Sequence, residues 1–150
     1  MTVIEQRNST DLAWQLRRAL SAHRAAIASA LARAGCDDLP PRALWAIDAL
    51  RAGDRSAAEL ARLLEVSKQA MSPLVELLVG LGYVERTADE LDRRRIALRL
   101  SSRGRLAAAA IARACERVES RERARVGAHN LELARETIAA IGLAAPSVRL

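Results

Sequence analysis

Two short stretches carry the groups best suited to chemistry at an anionic surface. Ser67, Lys68, Gln69 and Ser72 gather two hydroxyls, the only lysine of the chain and a carboxamide within six residues. Asp92, Arg93, Arg94 and Arg95 then set three guanidiniums side by side. A guanidinium meets phosphate as a bidentate fork, and a glutamine can pair in the same way with the edge of adenine. Over residues 92–105 six arginines stand against one aspartate, a net charge of +5. Catalytic chemistry is harder to assemble. Cys36 and Cys115 make no disulfide framework, and His23 and His129 have no Cys or acid at ligand spacing. There is no glycine-rich phosphate loop and no serine elbow. The sequence therefore predicts neither an enzyme site, nor a metal, nor a cofactor.

Composition limits the fold that can position those stretches. The chain has 150 residues, of which 51% are hydrophobic, but 32 of them are alanine and there is no phenylalanine. A core of Leu, Ile, Val and Ala suits closely packed helices, and the scarcity of β-branched and aromatic residues excludes a strand-rich fold. Twenty-four basic against 18 acidic residues leave +6, a balance that suits a polyanionic partner. The longest apolar run covers residues 106–112, well short of the ~20 needed to span a bilayer. With no secretory signal at the start, the expectation is a cytoplasmic protein without a membrane partner.

Hydrophobic periodicity supplies the elements. A first helix is expected over residues 11–34, with Leu12, Leu16, Leu20, Ile27 and Leu31 on one stripe and His23 in phase. A second carries Leu44, Ile47 and Leu50. Ser56 and Glu59 form a capping box that opens a helix of about ten residues, with Leu60, Ala61, Leu63 and Leu64 inward. Ser67 caps the next, which buries Met71, Leu74, Val75 and Leu78 and stops at Gly82. The period then changes to two. Residues 83–87 and the alternation of Ile96, Leu98 and Leu100 predict two strands, with residues 88–95 as an exposed hairpin tip. A long helix to about residue 125 follows, with Leu106, Ile111, Cys115 and Val118 inward. A last one covers about 131–141. The arginines and glutamates of residues 113–125 read as a solvated, salt-bridged face.

Two helices joined by a tight turn form a helix-turn-helix, whose second helix enters a major groove. With Met71, Leu74, Val75 and Leu78 inward, the residues Ser67, Lys68, Gln69, Ser72 and Pro73 point outward. Arginine on a hairpin tip suits the narrow, strongly negative minor groove. At this point the sequence resembles the MarR-type winged-helix regulators. The residues that carry the resemblance are Ser56-Ala57-Ala58-Glu59-Leu60-Ala61, Val66 to Ser72, Leu81-Gly82-Tyr83-Val84, Asp92-Arg93-Arg94 and Leu100-Ser101-Ser102-Arg103-Gly104.

The resemblance implies a mainly α fold with a small β-hairpin wing, in a single unit spanning residues 1–150. The winged helix-turn-helix would cover about 39–105, flanked by dimerisation helices at about 11–34 and 102–142. It implies a homodimeric transcription factor on double-stranded DNA, usually a repressor, released by a small molecule or by thiol oxidation. Ser67, Lys68, Gln69 and Ser72 would lie in the major groove. Arg94 would enter the minor groove, Arg93 would contact backbone or brace the wing through Asp92, and Arg95 would complete the basic tip. Pro73 departs from the family pattern and predicts a kink or a shortened contact face. The family's effector pocket lies between the dimerisation helices and the winged helix. That makes Trp14, His23 and Trp45 ligand candidates for a small aromatic or lipophilic effector, with packing roles as their simpler reading. Cys115 reads as core filler, and the acids beside Cys36 disfavour a thiolate. The alternative function is a winged-helix protein-interaction module whose wing meets an acidic partner.

Overall fold

The computed structural model describes residues 11–88 and 96–144. Among the described residues six α-helices and one antiparallel hairpin follow in the order α1 (Leu12–Arg33), α2 (Leu44–Arg51), α3 (Ala57–Leu63), α4 (Lys68–Gly80), β1 (Val84–Ala88), β2 (Ile96–Leu100), α5 (Ser102–Val126) and α6 (Ala128–Ala144). A short 3-10 turn, Pro41–Ala43, leads into α2. The proline supplies a preset φ and its missing amide proton falls where no helical acceptor exists.

Side-chain oxygens set where the helices begin. Asp11 accepts from the amide of Ala13, Ser67 from Ala70 and Ser101 from Gly104. The capping box before α3 is complete. The Ser56 hydroxyl accepts from the Glu59 amide at 3.2 Å while the Glu59 carboxylate accepts from the Ser56 amide at 2.7 Å. With only seven residues to stabilise α3, Ser56→Ala should cost about 1 kcal/mol of unfolding free energy. Urea denaturation would measure it, and an unchanged midpoint would show the cap to be dispensable.

The ends are closed by a common device. Gly82 takes φ +75° after α4, so that Tyr83 donates to the carbonyl of Leu78 and Gly82 to that of Val79. This paired closure satisfies carbonyls the helix would otherwise strand, and a left-handed residue is needed to form it.

The core joins α1, α2, α5 and the winged helix through Ile27, Leu31, Ile47, Leu60, Met71, Leu78, Tyr83 and Leu98, all buried. The face of α5 turned inward is built from Gly104, Ala107, Ala108, Ala110, Ile111 and Ala114. Small side chains let α1 and α2 approach that helix closely, which explains how a chain so rich in alanine packs without phenylalanine.

The structure departs from several sequence expectations. Helix α3 has seven residues rather than ten, and Leu63 is exposed, because the chain turns immediately after it. Leu106 is also exposed, one position out of phase with the alanine stripe. In β2 it is Ala97, Leu98 and Leu100 that are buried, while Ile96 is 61% exposed. The cause is the sheet. Ile96 lies opposite Ala88 at the outer end of the hairpin, whereas Leu98 is held between β1 and Arg55, with which it exchanges two backbone hydrogen bonds. Helix α6 is longer than expected, and nearly all of residues 128–141 are exposed.

Candidate nucleic-acid interface

The turn between α3 and α4 is four residues long, Leu64 to Ser67, and its geometry is fixed by Glu65 at φ +54°. That left-handed residue allows Val66 to donate to the carbonyl of Ala61 at 2.9 Å, closing α3 and turning the chain directly into α4. A non-glycine residue there costs on the order of 1 kcal/mol. Three buried side chains of α4, Met71, Val75 and Leu78, pin one face of the helix to the core. Ser67, Lys68, Gln69, Ser72 and Pro73 are all exposed at its amino end, as the periodicity predicts. The hydroxyl of Ser67 serves as the cap, so its oxygen is engaged with Ala70 while its own proton remains available to donate.

Pro73 does not interrupt the helix. Helix α4 runs unbroken from Lys68 to Gly80, so its exposed face is not shortened. Proline lacks the amide that would reach back four residues, so the carbonyl of Gln69 loses its helical donor. That carbonyl belongs to an exposed residue in the first turn, where water can satisfy it.

The strands β1 and β2 pair from Val84 with Leu100 to Ala88 with Ile96. Arg93, Arg94 and Arg95, with Asp92, lie outside the described residues. At the base of the hairpin the anchoring is dense. Arg86 on β1 pairs with Glu76 on α4, and Arg99 on β2 pairs with Asp54 at 2.6 Å. Ser101 donates its hydroxyl proton to the carbonyl of Gly82 at 2.6 Å, and its amide donates to the carbonyl of Tyr83 at 3.0 Å. Gly104 passes directly over that same carbonyl. The Leu-Ser-x-x-Gly stretch is thus the joint between wing and long helix.

Beside it lies a cluster that sequence reasoning missed. The hydroxyl of buried Tyr83 donates to the carboxylate of Asp38, and Arg103 donates to the same carboxylate at 2.8 Å. The Arg103 guanidinium also stacks over the Tyr83 ring, 4.4 Å from its centre. These partners are 45 and 65 residues apart in sequence, so no local spacing could have revealed them. The hydrogen bond from Tyr83 holds the Asp38 carboxyl below the usual carboxylate range, against an opposing contribution from burial and with further help from Arg103. A carboxylate lowered in the folded state contributes stability that is complete above its unfolded pKa, ~3.9, and is lost as pH falls through the folded value. Acid should therefore weaken the fold below about pH 4. Asp38→Asn should be less stable than the wild type at neutral pH and approach it in acid, as urea midpoints against pH would show. A constant gap at every pH would contradict this.

The ligand candidates separate. Trp45, expected to pack, is 60% exposed. It lies on the wall of a cavity of about 520 Å³ between α1, α2, α5 and α6, lined also by Leu16, Leu20, His23, Ile111 and Cys115. Its exposure follows from that position, because the elements around it leave the cavity open. His23 is half-buried there and pairs with Glu122 on α5 at 2.9 Å, which links the first helix to the long one. Burial pushes the Cys115 thiol up, away from a reactive thiolate. Trp14 is not part of the cavity and lies under the guanidinium of Arg17, 4.9 Å from its ring centre. Among the described residues no group of His, Cys, Asp and Glu could hold a metal ion, and no helix is long and apolar enough to cross a membrane.

The MarR family model matches residues 37–95, the stretch that runs from the connector before α2 through the helix-turn-helix to the wing. Over those residues the chain is similar to the MarR family. Among solved structures, the MarR-type architecture is shared with the transcriptional repressor CouR bound to a 23-mer DNA duplex, at 27% identity and a TM-score of 0.65 over 89% of this chain and 94% of that one. A probable transcriptional regulator from Pseudomonas aeruginosa is similar at 25% identity, with a TM-score of 0.64 over 89% of this chain and 98% of that one. The reduced form of MarR from E. coli shares the fold at 16% identity, with a TM-score of 0.65 over 87% and 96%. No curated protein matches the chain.

Proposed function

We propose that this MarR-type chain is a sequence-specific DNA-binding transcriptional regulator, a repressor that acts as a homodimer on a pseudo-palindromic operator. The observation that carries the reading is the exposed edge of α4, where Ser67, Lys68, Gln69 and Ser72 stand free of the core on the second helix of a helix-turn-helix. In this reading those four side chains enter the major groove, Gln69 and Lys68 reaching base edges or phosphate. Arg94 enters the minor groove, Arg93 contacts backbone or braces the wing through Asp92, and Arg95 adds to the basic tip. CouR, one of the similar proteins, was captured on duplex DNA.

Exposed apolar side chains support the dimer. Leu12 and Leu20 on α1 and Leu133, Ile138 and Ile141 on α6 are between 42% and 57% exposed. A second copy would cover those stripes, as the hydrophobic effect favours. The cavity beside Trp45 and His23 offers an apolar lodging for a small aromatic or lipophilic effector that releases the DNA. The expected setting is the cytoplasm, and the work is binding rather than catalysis.

Sedimentation at micromolar concentration should give a dimer. DNA affinity should fall steeply with salt, by about a thousandfold or more between roughly 50 and 200 mM, because phosphate contacts release counterions. A monomer at every concentration, or binding to an acidic protein with none to duplex DNA, would replace this reading with that of a protein-interaction module.

A further inference from the structure

We infer that Arg103 is a positioning residue for DNA reading, a guanidinium that locks the recognition helix and the wing root to the end of the first scaffold helix. The inference rests on the DNA-binding reading above and adds to it a residue that touches no DNA. Arg103 sits in the first turn of α5, immediately after the wing. One nitrogen donates to the carbonyl of Leu81, the residue that caps α4, at 2.7 Å. The other donates to Asp38 at 2.8 Å and lies 3.4 Å from the carbonyl of Gly35, just beyond the end of α1. Its plane covers the ring of Tyr83, the residue that leads into β1, and the Tyr83 hydroxyl closes the circuit on Asp38.

Four parts of the chain therefore converge on one planar cation: the end of α1, the connector after it, the end of the recognition helix and the root of the wing. The chemistry requires arginine. A guanidinium can donate to several acceptors in its own plane while stacking on an aromatic ring, whereas an ammonium is a point charge that does one or the other. The amino end of α4, with Lys68 and Gln69, and the outer end of the strand pair at Ala88 and Ile96 are the far ends of two levers whose inner ends meet here. A small rotation at the clasp becomes a displacement of about an ångström or more at a base edge, enough to break a bidentate pair.

Arg103→Met tests this, read against duplex selected by the wild type from a random pool and against mixed-sequence DNA. The expected result is a fall of about tenfold or more in the ratio of specific to mixed-sequence affinity, with the dependence on salt of mixed-sequence binding unchanged. Arg103→Lys should recover only part of the ratio. Tyr83→Phe, which keeps the ring but removes the bond to Asp38, should show a smaller loss of the same kind and carries the test if Arg103→Met does not fold. An unchanged ratio, with or without a lower Tm, would overturn the proposal, since loss of folded protein lowers both affinities equally. A salt dependence reduced by about one phosphate would overturn it too, by showing that Arg103 meets DNA directly. A wild type that binds no duplex at all would instead remove the regulator reading itself.

Discussion

Gly104→Ala should destabilise this protein by about 3 kcal/mol or more, although the same change elsewhere in a helix usually stabilises. Gly104 is the third residue of α5, where alanine's helix propensity would favour the substitution by ~1 kcal/mol. Packing reverses the sign. A methyl group at Gly104 would lie 2.0 Å from the carbonyl oxygen of Tyr83 and 3.1 Å from a methyl of Leu100. The first obstacle is backbone, and that oxygen already accepts from the Ser101 amide at 3.0 Å. Relief therefore requires moving the wing root away from the long helix, which breaks this bond and strains the Ser101 contact to Gly82. Overpacking against side chains costs roughly 1–3 kcal/mol, and an immovable carbonyl belongs at the upper end. Thermal unfolding at fixed protein concentration should show Tm lowered by roughly 6–12 °C. A variant within about 1 °C of the wild type would mean that the wing root is loosely held.

Gln69→Ala and Arg94→Ala should weaken DNA binding in different ways. Gln69 is exposed on the first turn of α4 and can pair with a base edge, so its loss should cost roughly 1–3 kcal/mol on the preferred site and little elsewhere. Arg94 is proposed for the minor groove, whose donor and acceptor pattern barely distinguishes sequences. Its loss should lower affinity for specific and mixed-sequence DNA alike, by about tenfold, and remove at most a preference for A·T tracts. Lys68→Ala would be assigned to phosphate or to base by which of the two patterns it follows. Lys68 and Gln69 are exposed, so helical content should persist in their variants. Wild-type affinity of the Arg94 variant on both kinds of DNA would remove the wing from the mechanism.

Much of this architecture is legible in the sequence because it rests on local rules. The cap at Ser56 and Glu59, the glycine at 82 and the stripe of Met71, Val75 and Leu78 each depend on residues within one or two helical turns. Periodicity failed where burial depends on a distant partner. Leu63 and Leu106 have the right chemistry for a core and the wrong neighbours, and Ala97 is buried although alternation puts it on the face away from Leu98. The exposed edge of α4 was legible as the face opposite the core stripe. The clasp of Asp38, Tyr83 and Arg103 was not, since three unremarkable residues acquire meaning only when the fold closes them together. Trp45 is a related case. Its helix buries Leu44, Ala46, Ile47 and Leu50, but the cavity that leaves its ring open is made by three other helices.

Selection from a pool of random duplexes shows directly whether the chain reads sequence and whether it does so as a symmetric pair. A pseudo-palindrome whose half-sites lie about one helical turn, ~10 base pairs, apart should be enriched, and Gln69→Ala should lose that enrichment. A pool that remains unenriched while the protein still binds DNA, or an enriched site without two-fold symmetry, would contradict it.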